Sequence, residues 1–431
     1  MSLALVVLLV MLAATLLLGL PIGFGMLISG VAYLLFKHQD LGLVADQVLN
    51  GMYNGYILLA VPLFIFAAAV MNSGTVSERL FEFALAIVGR LRGGLAHVNI
   101  IVSVIFSGMS GSAIADAAGP GIVSIRQMQK NGYSAEFSGA LTAASSTIGP
   151  IIPPSIPMVI YALVSSASVG ALFLGGVVPG LMMALALMLA VQFVAKKRNL
   201  PREKPIPLRE YPRILWRGLL PLTLPVVLLG GIYSGVFTPT EAASVAALYA
   251  LFLAGIVYRA LGLKRLYEIL VESSKASASV TLIIASAFVI NYAFTAENVP
   301  AMVASWLTAM NLQPLGFLFA VNVLFLILGC FLDTSIMLLV LVPIILPAAN
   351  ALHIDLVFFG VMLVVNMMIG LVTPPFGMLL FVINALAGVP LKGMIREAWL
   401  FIGVLIVALA LMTLFPQTIL WLPHQLGYGI K

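Results

Sequence analysis

The sequence predicts an all-α polytopic membrane protein built from two inverted repeats, each with five transmembrane helices and one re-entrant helical hairpin. Three observations predict it. The first is composition: of 431 residues, 62% are hydrophobic and only 8% are charged, and the mean hydropathy is +1.16. An average soluble chain carries about 25% charged residues. Apolar runs of roughly 18–20 residues recur from end to end, long enough to cross a bilayer as helices, and they lack the alternation of barrel strands. The second observation is self-similarity. GPIIPPSIP at 149–157 and GLVTPPFG at 370–377 align with a shift of 221, which carries Gly149 onto Gly370, Pro153 onto Pro374 and Pro154 onto Pro375. The same shift carries 2–36 onto 223–257, 56–73 onto 277–294, 107–112 onto 328–333 and 168–195 onto 389–416. The third is the distribution of basic residues, set out below.

Each half reads in the same order. The first repeat, 1–195, opens with helices at about 2–20 and 22–36, then a third at 56–73 and an amphipathic interfacial piece at 76–91. A segment at 95–129 is interrupted by SGMSGS, whose Gly and Ser weaken a helix interior. The next helix, 134–164, is broken by prolines, which remove backbone donors and clash with the preceding turn. A linker, 196–216, leads to the second repeat, 217–416. There the helices fall at about 217–234, 240–258 and 277–294, the interfacial piece at 299–311, the interrupted segment at 315–349 and the broken helix at 355–385. Thr238, Pro239 and Glu241 fit a capping box with proline at the first helical position. Residues 417–431 remain as a C-terminal tail.

Charge decides whether 95–129 and 315–349 are double spans or hairpins. If both are hairpins, each half crosses the membrane five times, an odd number, and the second half is inverted. Segments 78–92, 126–136, Lys196 to Arg217, 258–276 and 386–396 then share one face and hold 19 of the 21 Lys and Arg residues. Only Lys37 and Lys431 fall opposite. The positive-inside rule makes the basic face cytoplasmic and both termini periplasmic. The net charge of +6 is thereby explained by orientation rather than by nucleic acid. Met1 to Leu20 lacks a basic n-region and a cleavage site, so it reads as a retained helix. The single cysteine, Cys330, excludes an internal disulfide. His38, His97, His353 and His424 are too scattered for a metal site, and the chain has no P-loop.

Inverted repeats with helices broken at mid-membrane are the pattern of secondary transporters. Irregular backbone survives there only where protein or a water-filled cavity satisfies it. Freed carbonyls suit Na⁺, and half-helix N-termini suit a carboxylate. The four breaks are expected to converge as two half-sites. Candidate Na⁺ ligands are Ser107, Ser110, Gly149, Ile152 and Pro154 in the first, the last three through main-chain oxygen, and Gly329, Asp333, Gly370 and Thr373 in the second. Ser112, Ser155, Thr334 and Ser335, with Asp333, are candidates to face substrate. A single proline pair is often a mere kink, and a lone serine is as often a packing residue. Asp333 differs, because a carboxylate at mid-membrane costs about 2.5–3.5 kcal/mol to insert. Asp116, on the second limb of the first hairpin, reads mainly as a cap or packing contact.

FSGMSGSAIADAAGPG, IGPIIPPSIPMVIYA, GVFTPTEAA and GLVTPPFGMLLFVINALAG resemble the large membrane subunit, the DctM-like subunit, of tripartite ATP-independent periplasmic (TRAP) transporters. The resemblance extends over essentially the whole chain. It implies an elevator mechanism, Na⁺ coupling and uptake of an organic acid such as sialic acid or a C4-dicarboxylate across the bacterial inner membrane. It also implies a periplasmic binding protein that delivers substrate and a small four-helix membrane subunit. Because the chain begins directly with its first helix, that subunit is expected as a separate chain. No organic cofactor and no enzymatic activity are expected. A competing reading is a self-sufficient Na⁺/dicarboxylate symporter that works without a binding protein. A channel or a purely structural subunit needs neither two half-sites nor Asp333 at a tip.

Overall fold

The computed structural model describes residues 2–72, 76–202, 211–309 and 313–429. Lys204 and Arg209 of the linker, and Lys431, lie outside the described residues. The protein is helical throughout, with no strand among the described residues. Among the described residues, five helices are long and apolar enough to cross a membrane: Val169–Lys197, Pro239–Val257, Leu263–Ala296, Thr334–Ala351 and Leu391–Leu414. Shorter apolar helices include Leu3–Leu17, Ile22–Phe36, Gly94–Ser110, Pro314–Gly329 and Leu356–Gly370.

Helix ends follow local sequence. Ser134 and Ser168 cap the helices that follow them, each hydroxyl accepting a backbone N–H. The Thr238–Glu241 capping box forms as expected, with Pro239 in the first turn. Three elements differ from the sequence reading. Residues 258–276, read as a loop, are helical from Leu263 onward and continue unbroken to Ala296. A helix also forms over Gly42–Asn54, where none was expected, and the tail holds another, Gln417–Gln425, packed on Val169–Lys197. The small polar run ESSKASAS (272–279) lowers hydropathy without breaking helix, because it contains neither Pro nor Gly.

Both interrupted segments share one construction. Gly94–Ser110 ends at Gly111, whose φ of +60° suits glycine. The chain returns through Ala113–Asp116, a π-turn at Ala117–Gly121 and Ile122–Lys130. The second segment runs Pro314–Gly329, then Thr334–Ile336, a π-turn at Met337–Leu341 and Val342–Ala351. The broken helices are Ala135–Ser146 with Ile156–Ser165, and Leu356–Gly370 with Met378–Ala387. Each break contains a cis peptide bond, Pro153–Pro154 or Pro374–Pro375.

These pieces are exchanged. Ala135–Ser146 packs on Gly94–Ser110 and Leu356–Gly370 packs on Pro314–Gly329. Past each break the partner changes: Ile156–Ser165 lies on Met337–Leu341 and Val342–Ala351, and Met378–Ala387 lies on Ala117–Gly121 and Ile122–Lys130. Each broken helix therefore begins against the interrupted segment of its own half and ends against that of the other.

A second group of helices flanks this core. Ile22–Phe36 sits against Leu263–Ala296, which also packs against Ala60–Met71. Lipid tails are as apolar as leucine, so close helix approach relies on small residues and hydrogen bonds. A Cβ on Gly30 would lie 2.6 Å from Val289 Cγ1, and Ser286 Oγ donates to the Gly23 carbonyl at 2.8 Å. At the far end of this pair Glu297 accepts from Lys37 Nζ at 2.7 Å and from the Tyr33 hydroxyl at 3.0 Å. The Lys37 ammonium holds the Glu297 carboxyl down to about 2. An unfolded glutamate titrates near 4.3, so this contribution to stability is full above about pH 4 and is lost as pH falls toward 2. Glu297→Gln is expected to melt below wild type at neutral pH, with the gap closing on acidification toward pH 2. Thermal unfolding in lipid nanodiscs across that pH range checks it.

Candidate functional site

The two breaks and the two segment tips meet through backbone. A Cβ on Gly111 would stand 2.5 Å from the Pro154 carbonyl oxygen, and one on Gly149 would stand 3.2 Å from the Ser112 carbonyl oxygen. The second tip repeats the contact: a Cβ on Gly370 would lie 2.8 Å from Cα and C of Gly329. Only glycine lets main chains approach this closely.

A cavity of about 480 Å³ opens over these junctions. Ser110 and Ser112 line it from the first tip, Asp333, Thr334 and Ser335 from the second. Ile156, Pro157 and Met378, at the N-terminal ends of the helices beyond the two breaks, also line it. Ala60–Met71 supplies Ile65, Ala68 and Ala69, and Asn72 follows. Leu263–Ala296 supplies Arg265, Glu272, Ser273, Ala276 and Val280. That helix also braces the second tip, where Asn291 Nδ2 donates to the Leu339 carbonyl of the π-turn at 3.0 Å.

The remaining candidates occupy different surroundings. Ser107 is buried, and its hydroxyl donates to the Val104 carbonyl. Ser155 is fully buried; it donates to the Pro150 carbonyl and accepts from Met158 N–H at 3.2 Å, so its hydroxyl caps the helix beyond the break. Thr373 Oγ1 donates to the Ile369 carbonyl at 2.7 Å. Ile152 rests its side chain against Gly180, where a Cβ would meet it at 2.3 Å. Asp333 accepts from Ser335 N–H at 2.8 Å and caps the short helix of the second tip. Neither Ser107, Ser155 nor Thr373 lines the cavity, whereas Ser110, Ser112, Asp333, Thr334 and Ser335 share it.

Residues 9–418 match the family described as tripartite ATP-independent periplasmic transporter, DctM component. The chain belongs to this family. It is 43% identical over 413 residues to the sialic acid TRAP transporter large permease protein SiaM of Vibrio cholerae, covering 95% of this chain and 96% of that one. It is also 43% identical over 372 residues to the C4-dicarboxylate TRAP transporter large permease protein DctM of Pseudomonas aeruginosa, covering 86% and 87%. In fold it is similar to the crystal structure of the Alcanivorax borkumensis YdaH transporter, with a TM-score of 0.64 at 14% identity over 86% of this chain and 88% of that one.

Sequence reasoning missed the wall that stands opposite the tips. Arg265 reads in sequence as one more basic residue of a cytoplasmic loop, yet it lines the cavity and pairs with Glu268 at 3.0 Å. The available signal was spacing: Arg265, Glu272, Ala276 and Val280 are seven, four and four residues apart, one helical stripe. The glycine junction generates a test. Gly370→Ala must push the second tip off the break and is expected to cost about 1–3 kcal/mol. Gly230→Ala meets nothing within 4 Å and is expected to be neutral or slightly stabilising. Melting points of the two variants in the same nanodiscs decide between a real junction and general intolerance of change.

Proposed function

We propose that the chain is the large subunit of a Na⁺-coupled importer for an organic acid of the sialic acid or C4-dicarboxylate type. The observation that carries this reading is the shared cavity of Ser110, Ser112, Asp333, Thr334 and Ser335, which joins the tips of both halves in one volume. A carboxylate substrate placed beside Asp333 is repelled unless a cation stands between them. Na⁺ held by tip carbonyls and hydroxyls supplies that charge, so each ligand raises the affinity for the other, and linkage makes the effect reciprocal. The N-terminal ends of Ile156–Ser165 and Met378–Ala387 add partial positive charge at the cavity wall. The Na⁺ ligands are Ser107, Ser110, Gly149, Ile152 and Pro154 around the first tip and Gly329, Asp333, Gly370 and Thr373 around the second.

Transport follows an elevator path. The two repeats lie inverted in the membrane, and the exchanged core moves as one body against the helices around Ala60–Met71 and Leu263–Ala296. In this reading the cavity, which reaches Arg265 at the basic end of its wall, is open inward, and both termini are periplasmic. A periplasmic binding protein delivers the substrate, and a small four-helix membrane subunit, a separate chain, extends the outer wall in the bacterial inner membrane. The work is translocation, not catalysis.

Labelled organic-acid uptake into proteoliposomes holding the chain and its small partner tests the proposal, with the Na⁺ gradient and the binding protein each present or omitted. Uptake is expected only with both. Uptake on Na⁺ alone would instead mark a self-sufficient symporter. Asp333→Asn is expected to abolish uptake at normal insertion, and near-normal uptake would remove Asp333 from the site. Ser110→Ala is expected to raise the Na⁺ concentration for half-maximal uptake several-fold.

A further inference from the structure

Behind the cavity wall lies a second group of oxygens that the reading above does not use. Asp116 ends the first turn of the returning limb, directly before the π-turn at Ala117–Gly121. It is fully buried, and the groups that approach its carboxylate are neutral hydroxyls, those of Ser103 and Ser146. None of the ion pairs among the described residues involves it. Its neighbours Ala115 and Ala118 line the cavity, but Asp116 does not.

The surroundings of Asp116 are oxygen-rich. The hydroxyls of Ser103 and Ser146 face it from the two adjoining helices. Ser146 Oγ is buried and has no other partner. One turn from Ser103, Asn99 donates through Nδ2 to Thr142 Oγ1 at 2.8 Å, while its own Oδ1 is buried and unpartnered. Ser103 Oγ in turn donates to Ser145 Oγ at 3.0 Å. The π-turn presses this group together: a Cβ on Gly121 would lie 2.7 Å from Thr142 Cγ2 and 2.9 Å from the Asp116 carbonyl oxygen. π-turns of this kind recur at functional sites.

The fold does not need a carboxylate at this place. The shift of 221 carries Asp116 onto Met337, which is fully buried and apolar at the start of the equivalent π-turn. A buried, unpaired carboxylate is costly, and burial is tolerated when the charge is paired or coordinates a metal ion. Ser103 and Ser146 can each offer the carboxylate a hydroxyl hydrogen, but neither brings a positive charge to balance it. A hard cation accepts several such oxygens at once. A single carboxylate among neutral oxygens balances one positive charge. We propose that Asp116, with Ser103 and Ser146, forms a site for a monovalent alkali cation of Na⁺ type, separate from the ligands at the two tips. Its occupation does not depend on which substrate is carried; only its contribution to coupling rests on the transport reading.

Equilibrium binding of radiolabelled Na⁺ to the full chain with its membrane partner in nanodiscs tests the site. Asp116→Asn, a neutral near-isostere, is expected to bind one Na⁺ fewer per chain than wild type, while Ser110→Ala retains that ion. Ser146→Ala keeps the carboxylate and is expected to weaken one class of bound Na⁺ several-fold, which preserves the test if Asp116→Asn does not fold. Unchanged stoichiometry and affinity in the folded variants would overturn the proposal. So would unchanged Na⁺ binding together with a lost pH dependence of stability, which would make Asp116 a protonated carboxyl. If the unsubstituted chain binds this Na⁺, Asp116→Asn removes it, and yet the unsubstituted chain carries no organic acid, the transport reading fails and this site stands.

Discussion

A helix interrupted in apolar surroundings leaves carbonyl and N–H groups that no water is there to satisfy, and the arrangement of this protein depends on that constraint. The two broken helices meet it by exchange. Each starts in its own half and finishes against the other, so the interruption at Gly149–Ser155 is covered by the first tip and the one at Gly370–Gly377 by the second. The glycine junctions are what make the cover close. Replacing the Gly329–Gly370 approach with side chains would separate the main chains and expose the groups that the fold has to shield.

The exchange also explains why function collects at the breaks. Helix ends carry partial charges that a continuous helix keeps internal. Two helices beginning at the cavity present their N-terminal ends there, while Ser112 and Asp333 spend part of their hydrogen-bonding capacity capping the returning limbs. Asp333 is thus both a structural cap and a charge at the cavity surface. Ser155 stands at the equivalent start of Ile156–Ser165 but is turned wholly inward, between the Pro150 carbonyl and the Met158 N–H. Two residues with the same local role therefore differ in access, and access follows from what packs above them.

The opposing wall has a different logic. Leu263–Ala296 is continuous through a stretch of serines, alanines and charged residues that no apolar criterion would select. Its stripe from Arg265 to Val280 closes the cavity, and Asn291 further along satisfies a carbonyl of the π-turn behind the second tip. A polar stripe on an otherwise apolar helix is stable here because it faces protein and cavity rather than lipid.

The class of the protein and the positions of the breaks were legible in the sequence, because each rests on chain-local physics: apolar run length and the backbone chemistry of Pro and Gly. The capping box at Thr238 was legible for the same reason. Which hydroxyls reach the cavity was not. Ser110 and Ser155 look alike in sequence and both are fully buried, yet only Ser110 borders the cavity, because Ser155 is turned against the Pro150 carbonyl. The wall at Arg265 and the buried surroundings of Asp116 belong to the same class, since each is made by residues from helices distant in the chain. Local sequence sets where a helix must stop; only tertiary contact decides what fills the gap.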